Sequence, residues 1–193
     1  MRKFLVVLDD SRESLNAIRY AAMRAAKTGG GVQVLSVIPA NSIQHGFGVA
    51  DVMRAEAYER IEAHFEVFAK WMRDRPGVEP ELVVREGEPG AELLAQIHAD
   101  PEIGVVVLAA ATDSAGPGPL VTRLLREVAT LPCPITIVPG DLPRERLEQV
   151  TGPRPGLSHD PGIAAGTTPA RGRHACPGRP IVAADCRSRI GGV

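Results

Sequence analysis

The stretch that decides the fold is IGVVVLAAATDSAGPGPLVTRLLREVATLPCPITIVPG, from Ile103 to Gly140. It opens with a continuous apolar run, residues 103–111, which is typical of a strand covered on both faces in a parallel sheet. A loop of small and turn-forming residues follows at 112–119, and residues 120–131 have helical character. A proline ends that helix, and residues 134–138 form a second apolar strand. The stretch predicts a β-loop-α-β unit whose loop lies where α/β proteins bind ligands.

The same alternation of strands and helices extends upstream. Strands alternating with helices at these lengths predict a right-handed, doubly wound parallel sheet with helices on both faces. Asp10 and Glu13 have the spacing of a capping box at the start of the first helix. The upstream strands are predicted at 3–8, 32–38 and 81–85, and the helices at 11–27, 51–73 and from 87 to about 99.

The periodic pattern ends after Gly140. Residues 141–150 predict one short helix, with a proline in its first turn. In residues 151–193, Gly, Pro, Ala and Arg make up 26 of 43 residues, and Lys, Glu, Phe, Tyr and Trp are absent. Such a composition buries too little apolar surface to offset its ordering entropy, so we expect a domain at 1–140 and a disordered tail at 151–193. A read-through or frameshifted end without selected function is the alternative origin of the tail.

Composition excludes several classes of protein. Of the 193 residues 44% are hydrophobic and 23% are charged, as in an ordinary soluble globular protein. A net charge of −1 gives no basic field for nucleic acid or an anionic membrane, and no apolar stretch is long enough to span a bilayer. Three cysteines form no disulfide framework, and Cys133 is expected to be a structural thiol. We expect a cytoplasmic protein that binds no metal. Because no catalytic constellation is visible, we also expect that it is not an enzyme.

Three stretches resemble the universal stress protein family: FLVVLDDSRESLNAIRYAAMRA at residues 4–25, REGEPGAELLAQIHA at 85–99 and PCPITIVPG at 132–140. The resemblance covers residues 3–140. It implies a five-stranded parallel sheet of strand order 3-2-1-4-5 and a homodimer paired through the last strand. It also implies an adenine nucleotide, ATP in many members, as the ligand.

The resemblance further implies which residues contact the nucleotide base. In ATP-binding members the first acidic residue after strand one contacts adenine, and Asp9 matches that residue. The base is expected to lie against strands one and two, near Asp9 and the backbone of Val37 and Ile38. Helix capping is the alternative role for the acidic pair, and it suits Asp10 better than Asp9. Both roles remain open for Asp9.

The loop after strand four departs from the family pattern. ATP-binding members carry Gly-x2-Gly-x9-Gly-Ser/Thr there, and the best register places Ala109, Thr112, Thr122 and Arg123 on the four fixed positions. The three glycines are therefore absent, and two prolines in the loop have no N–H to donate. The loop either contacts a ligand or is a rigid connection that fills the crevice. If a nucleotide binds, it binds weakly, and its phosphates are expected to meet Thr112, Ser114, Gly116, Gly118, Thr122 and Arg123.

Two functions follow from this pattern. The first is a cytoplasmic stress-response protein that binds an adenine nucleotide weakly and acts as a sensor or adaptor on a protein partner that the sequence does not name. The second is a homodimeric interaction protein of the same fold that binds no nucleotide. A hydrolase or transferase of the wider adenine-binding α/β group lacks any visible catalytic arrangement.

Overall fold

A computed structural model describes residues 1–9, 11–40, 49–112 and 116–152. Its centre is a sheet of five parallel strands in the order β3-β2-β1-β4-β5, so the predicted topology is confirmed. The strands are β1 Lys3–Val7, β2 Gly31–Pro39, β3 Pro80–Gly87, β4 Ile103–Ala110 and β5 Ile135–Pro139.

Helices cover both faces of this sheet. The first, second and fifth pack on one face, and the third and fourth pack on the other. Leu5 and Val6 of β1 point to opposite faces, and both side chains are fully buried. This double burial explains the continuous apolar runs of the central strands. The helices are α1 Ser14–Thr28, α2 Val49–Asp74, α3 Pro89–Ala99, α4 Pro119–Arg126 and α5 Arg144–Thr151.

The fourth helix is shorter than predicted. It ends at Arg126 and is followed by one 3-10 turn at Val128–Thr130, whereas the sequence predicted helix to residue 131. Glu127 leaves the helical conformation at φ −99° and ψ 6°. Its carbonyl oxygen accepts from the N–H of Thr130 at 2.9 Å and from the Thr130 hydroxyl at 2.8 Å. A side-chain hydroxyl bonded to a nearby carbonyl favours such a turn over continued α-helix.

The first helix starts at Ser14, three residues later than predicted. Glu13 precedes it in the αR conformation and makes no side-chain capping bond. The predicted capping box also involves Asp10, which lies outside the described residues. The predicted end of this helix is confirmed, because Gly29 adopts φ 66° and its N–H bonds the carbonyl of Ala25. A left-handed residue at this position favours glycine.

The chain continues past residue 140 into α5, which packs against α1. Leu147 is fully buried there, and the side-chain amide of Asn16 donates to the carbonyl oxygens of Gly140 and Leu142 at 3.0 and 2.9 Å. Thr151, which the sequence assigned to the tail, is the last residue of α5 and is buried. The expectation of disorder for the remaining tail concerns residues that, from 153 on, lie outside the described part of the chain.

Candidate functional site

A cavity of about 640 Å³ opens at the carboxyl ends of β1 and β2. The connections from β1 and β4 leave in opposite directions next to this point, and such a switch point is where doubly wound sheets bind ligands. Strand ends, one side of α2 and the first turns of α3 and α4 enclose the cavity. The lining residues are Val7, Leu8, Asp9, Ser36, Val37, Ile38, Pro39, Ala57, Arg60, Ile61, His64, Glu88, Pro89, Gly90, Pro119, Leu120 and Arg123.

Asp9 lies at the end of β1, in the cavity wall, with an exposed side chain. Its Oδ1 accepts hydrogen bonds from the backbone N–H of Ser11, at 3.0 Å, and from the Ser11 hydroxyl. The Ser11 hydroxyl oxygen in turn accepts from the N–H of Ser14, the first residue of α1, at 3.3 Å. Asp9 therefore supports the helix start through one oxygen. Its other oxygen, Oδ2, accepts no hydrogen bond from the described residues.

Val37 and Ile38, which the resemblance places near the nucleotide base, line the same cavity. The last pair between β1 and β2 is Val7 with Leu35, so β2 extends beyond the end of its neighbour. Leu35 accepts through its carbonyl from the N–H of Leu8 at 2.8 Å. Alternate residues of a strand direct their peptide groups to the same side. The peptide groups of Val37 are therefore directed past the end of β1, where the cavity lies.

Three residues at the start of α3 and in α4 form a side of the cavity that the sequence analysis only partly anticipated. Glu88 caps α3 and accepts from the N–H groups of Gly90 and Ala91 at 2.9 and 2.7 Å. These two bonds, with a smaller contribution from the charge of Arg123, lower the pKa of Glu88. A Cβ on Gly90 would lie 2.9 Å from Cγ of Arg123, so the arginine side chain crosses directly over this glycine. The Glu-Pro-Gly sequence predicted the start of a helix here, but it did not predict the contact of that helix with α4.

Arg60 and His64 of α2 also line the cavity, and the sequence analysis assigned neither to the site. They are four residues apart and therefore lie on the same side of the helix. His64 is half-buried and its ring centroid lies 5.1 Å from that of Phe68. Arg60 forms no ion pair within the described part of the chain. Two polar residues four positions apart were the only sequence signal for this part of the site. That signal points to the cavity only when the position of α2 beside β2 is known.

A second cavity, of about 650 Å³, lies beside the loop between β4 and α4. It shares the lining residues Pro119 and Arg123 with the first cavity. Gly116 and Gly118 line it at φ 99° and 92°, conformations that favour glycine. Thr122 also lines it, but its hydroxyl donates to the carbonyl oxygen of Gly118 at 2.9 Å. That proton is therefore already used in the first turn of α4.

The six residues predicted to meet phosphates are only partly brought together. Gly116, Gly118, Thr122 and Arg123 line the second cavity. Thr112 is exposed just after β4 and lines neither of the two cavities, and Ser114 lies outside the described residues. The second cavity also contains Arg126, which the sequence analysis did not select.

The described residues show no metal centre. No three His, Cys, Asp or Glu side chains among them are grouped so that they would hold a metal ion. Cys133 is a half-buried free thiol, and burial raises its pKa, so the neutral form is favoured. Within the same ranges, none of the helices combines the length and hydrophobicity that crossing a membrane requires.

The fold and the cavity together define a doubly wound α/β protein with a binding crevice at the switch point of its sheet. The sequence profile described as "Universal stress protein family" matches residues 1–139, and the chain belongs to that family. No curated protein matches the chain significantly.

Solved structures of universal stress proteins share the fold. Protein UspA from Lactobacillus plantarum aligns with a TM-score of 0.56 at 18% identity, over 71% of this chain and 97% of its own. A universal stress protein from Archaeoglobus fulgidus aligns with a TM-score of 0.51 at 18% identity, over 71% and 98%. A universal stress protein in complex with cAMP aligns with a TM-score of 0.51 at 20% identity, over 71% and 96%.

Proposed function

We propose that this protein is a cytoplasmic nucleotide-binding member of the universal stress protein family that acts as a sensor or adaptor, with ATP or another adenine nucleotide as its ligand. The observation that carries the proposal is the cavity of about 640 Å³ at the carboxyl ends of β1 and β2, lined by Asp9, Val37 and Ile38. Its volume lies in the range of small-molecule sites. A related universal stress protein was solved in complex with cAMP, which is consistent with a ligand of this class.

The proposed base site uses one side chain and one stretch of backbone. Asp9 Oδ2 is an acceptor without a partner among the described residues, and the amino group of adenine is a donor. The peptide groups of Val37 provide one donor and one acceptor beside it. The amino group of adenine has two N–H bonds that it can donate to the two acceptors, and the ring nitrogen beside it can accept from the Val37 N–H. The apolar side chains of Val7, Ile38 and Ile61 supply the surface for the flat ring.

The proposed phosphate site is weaker than that of family members with the glycine motif. Pro117 and Pro119 have no N–H to direct at an anion. The Thr122 hydroxyl proton is used by Gly118, which leaves Arg123 as the positive group of this side that faces both cavities. Each hydrogen bond lost to a charged oxygen costs about 1.5–3 kcal/mol. We therefore expect an ATP affinity below that of motif-bearing relatives.

Calorimetric titration of ATP into the full chain tests the proposal, with Asp9→Asn as the diagnostic variant. Asparagine can still accept from the Ser11 N–H through its amide oxygen, so the turn before α1 is kept. Its amide nitrogen then replaces an acceptor with a donor and opposes the adenine amino group. We expect about a tenfold loss of affinity, corresponding to about 1.4 kcal/mol. Asp74→Asn, at the end of α2 and away from the cavity lining, is the matched control.

A homodimeric interaction protein without nucleotide is the second candidate function. Two features of the loop favour it, because they leave few donors for phosphate: the prolines have no N–H, and the Thr122 hydroxyl already donates to Gly118. So does β5, which is at the edge of the sheet and carries the exposed apolar side chain of Ile137. If ATP, ADP and AMP all fail to bind at millimolar concentration while the protein is dimeric, this candidate replaces the first.

A further inference from the structure

Two arginines of α4, Arg123 and Arg126, line the second cavity. They are three residues apart and so lie on neighbouring positions of one helical face. Gly116 and Gly118, both at positive φ, also line this cavity. The motif by which ATP-binding relatives are identified ends at Arg123 in this chain's register, so Arg126 has no place in it.

The two arginines differ in how far their charges are compensated. Arg126 forms no ion pair or hydrogen bond with any described residue. The guanidinium of Arg123 lies 3.8 Å from Oε1 of Glu127, and its charge also acts on the carboxylate of Glu88. By contrast, Arg85 pairs with Glu92 at 3.1 Å and Arg144 with Glu148 at 2.8 Å. The second cavity therefore has a positive wall, and the described residues place no carboxylate in its lining.

The two cavities adjoin at Pro119 and Arg123, which line both. A ligand that extended from Asp9 into the second cavity would therefore pass Arg123. On such a ligand a single phosphate would be nearest to Arg123, and a longer phosphate chain would come closer to Arg126. Guanidinium groups bind phosphate oxygens through paired, charge-assisted hydrogen bonds, which substitutes for missing backbone donors.

We propose that Arg126 selects for the length of the phosphate chain, by holding the terminal phosphates of a nucleoside triphosphate in the second cavity. The proposal rests on the proposed nucleotide-binding function and adds a residue and a specificity to it. It assigns to side chains of α4 the contacts that the loop cannot make through its backbone.

The experiment is a matrix of calorimetric titrations on the full chain, with AMP, ATP and inorganic tripolyphosphate as probes. The proteins are the wild type, Arg126→Gln and the control Arg146→Gln, which removes an exposed arginine from α5 on the opposite face of the sheet. We expect the wild type to prefer ATP over AMP. Arg126→Gln should lower the affinity for ATP by about tenfold to a hundredfold and change that for AMP by less than about twofold, the loss of one or two charge-assisted bonds. The control should match the wild type.

The outcomes separate the two proposals. If nucleotides bind and Arg126→Gln leaves the ratio of ATP to AMP affinity unchanged, the inference is wrong and the nucleotide-binding function stands. If no nucleotide binds but tripolyphosphate binds and requires Arg126, the anion subsite stands and the nucleotide-binding function is wrong. If none of the three probes binds the wild type, both are overturned. Thermal melting of each variant establishes that a loss of binding is not a loss of fold.

Discussion

Gly90 at the start of α3 lies directly beneath the side chain of Arg123 on α4, so that a Cβ at residue 90 would be 2.9 Å from Arg123 Cγ. That separation is shorter than carbon atoms tolerate, and the arginine would have to move. Gly90 is not at positive φ, so an alanine there meets no backbone strain. The relationship thus couples the first turn of one helix to the position of a charged side chain on another.

Gly90→Ala should therefore change binding more than stability. We expect the free energy of unfolding to stay within about 1 kcal/mol of the wild type, because alanine favours helix and Arg123, whose side chain is 49% exposed, can move away by changing its χ1 rotamer. ATP affinity should fall toward that of Arg123→Ala. Calorimetry on both single variants and the double variant checks this, and we expect the double variant to bind no more weakly than Arg123→Ala alone. Additive losses would show that Gly90 acts independently of Arg123.

A second prediction concerns the opposite end of the sheet, where Lys3 pairs with three carboxylates. Its ammonium nitrogen lies 2.9 Å from Glu81, 3.0 Å from Asp100 and 3.4 Å from Glu102. Lys3→Met keeps the side-chain length and removes the charge. It should lower the free energy of unfolding at pH 7 by about 1–3 kcal/mol, because the half-buried Asp100 loses its cationic partner. Urea unfolding measures the change, and Lys70→Met, an exposed lysine of α2, should be nearly neutral.

The same cluster predicts a pH dependence. Burial opposes ionisation of Asp100, but hydrogen bonds from Lys3, the N–H of Glu102 and the amide of Gln33 outweigh it and lower the pKa of Asp100. A carboxyl whose pKa is lower in the folded state stabilises the fold above its unfolded pKa, about 3.9, and loses this contribution as the pH falls through the folded value. The difference in stability between the wild type and Lys3→Met should therefore begin to shrink as the pH falls below about 4, and it should continue to shrink as the pH falls through the folded pKa of Asp100. A difference that persists unchanged at pH 2.5 would contradict this account.

The sequence predicts the features that depend on local residue patterns, and it does not predict those that depend on contacts between distant elements. The strands and their order were within reach, because residues such as Leu5 and Val6 must both be buried and the family resemblance supplied the topology. The end of α4 was missed, because a proline at 132 was a stronger local signal than the hydroxyl of Thr130. The family resemblance also selected Asp9, which follows the end of β1, and Val37, which lies near the end of β2.

The other site residues depend on how helices are placed relative to one another. Arg60 and His64 approach the cavity only because α2 lies beside the end of β2. The contact of Gly90 with Arg123 joins residues 33 positions apart on two helices. No periodicity or motif carries such information, since local patterns report which face of an element is buried and not which neighbour covers it.

A third prediction concerns the edge of the sheet. Within the described part of the chain β5 pairs with β4 alone, and Ile137 on it is 40% exposed. An unpaired apolar edge favours association, and pairing across a two-fold axis would give a closed homodimer. Ile137→Lys should convert dimer to monomer in light scattering at micromolar concentration. Val67→Lys, which alters an exposed apolar residue of α2, should leave the oligomeric state unchanged. A wild type that is already monomeric would dismiss the dimer.

The last prediction tests where the folded unit ends. Leu147 of α5 is fully buried in the core cluster that contains Ile18 and Ala22 of α1, although it lies beyond the stretch that matches the family. Leu147→Ala should lower the free energy of unfolding by about 2–5 kcal/mol, the usual range for a buried leucine replaced by alanine. Val150→Ala, on the same helix but 46% exposed, should cost far less, and the pair therefore isolates burial from helix propensity. Chains cut after residue 152 and after residue 140 provide a second comparison by urea unfolding. The free energy of unfolding of the shorter chain should be equal to or lower than that of Leu147→Ala. If both chains unfold at the same urea concentration and Leu147→Ala is neutral, α5 contributes nothing to the fold, and the domain ends at residue 140 as its sequence pattern predicts.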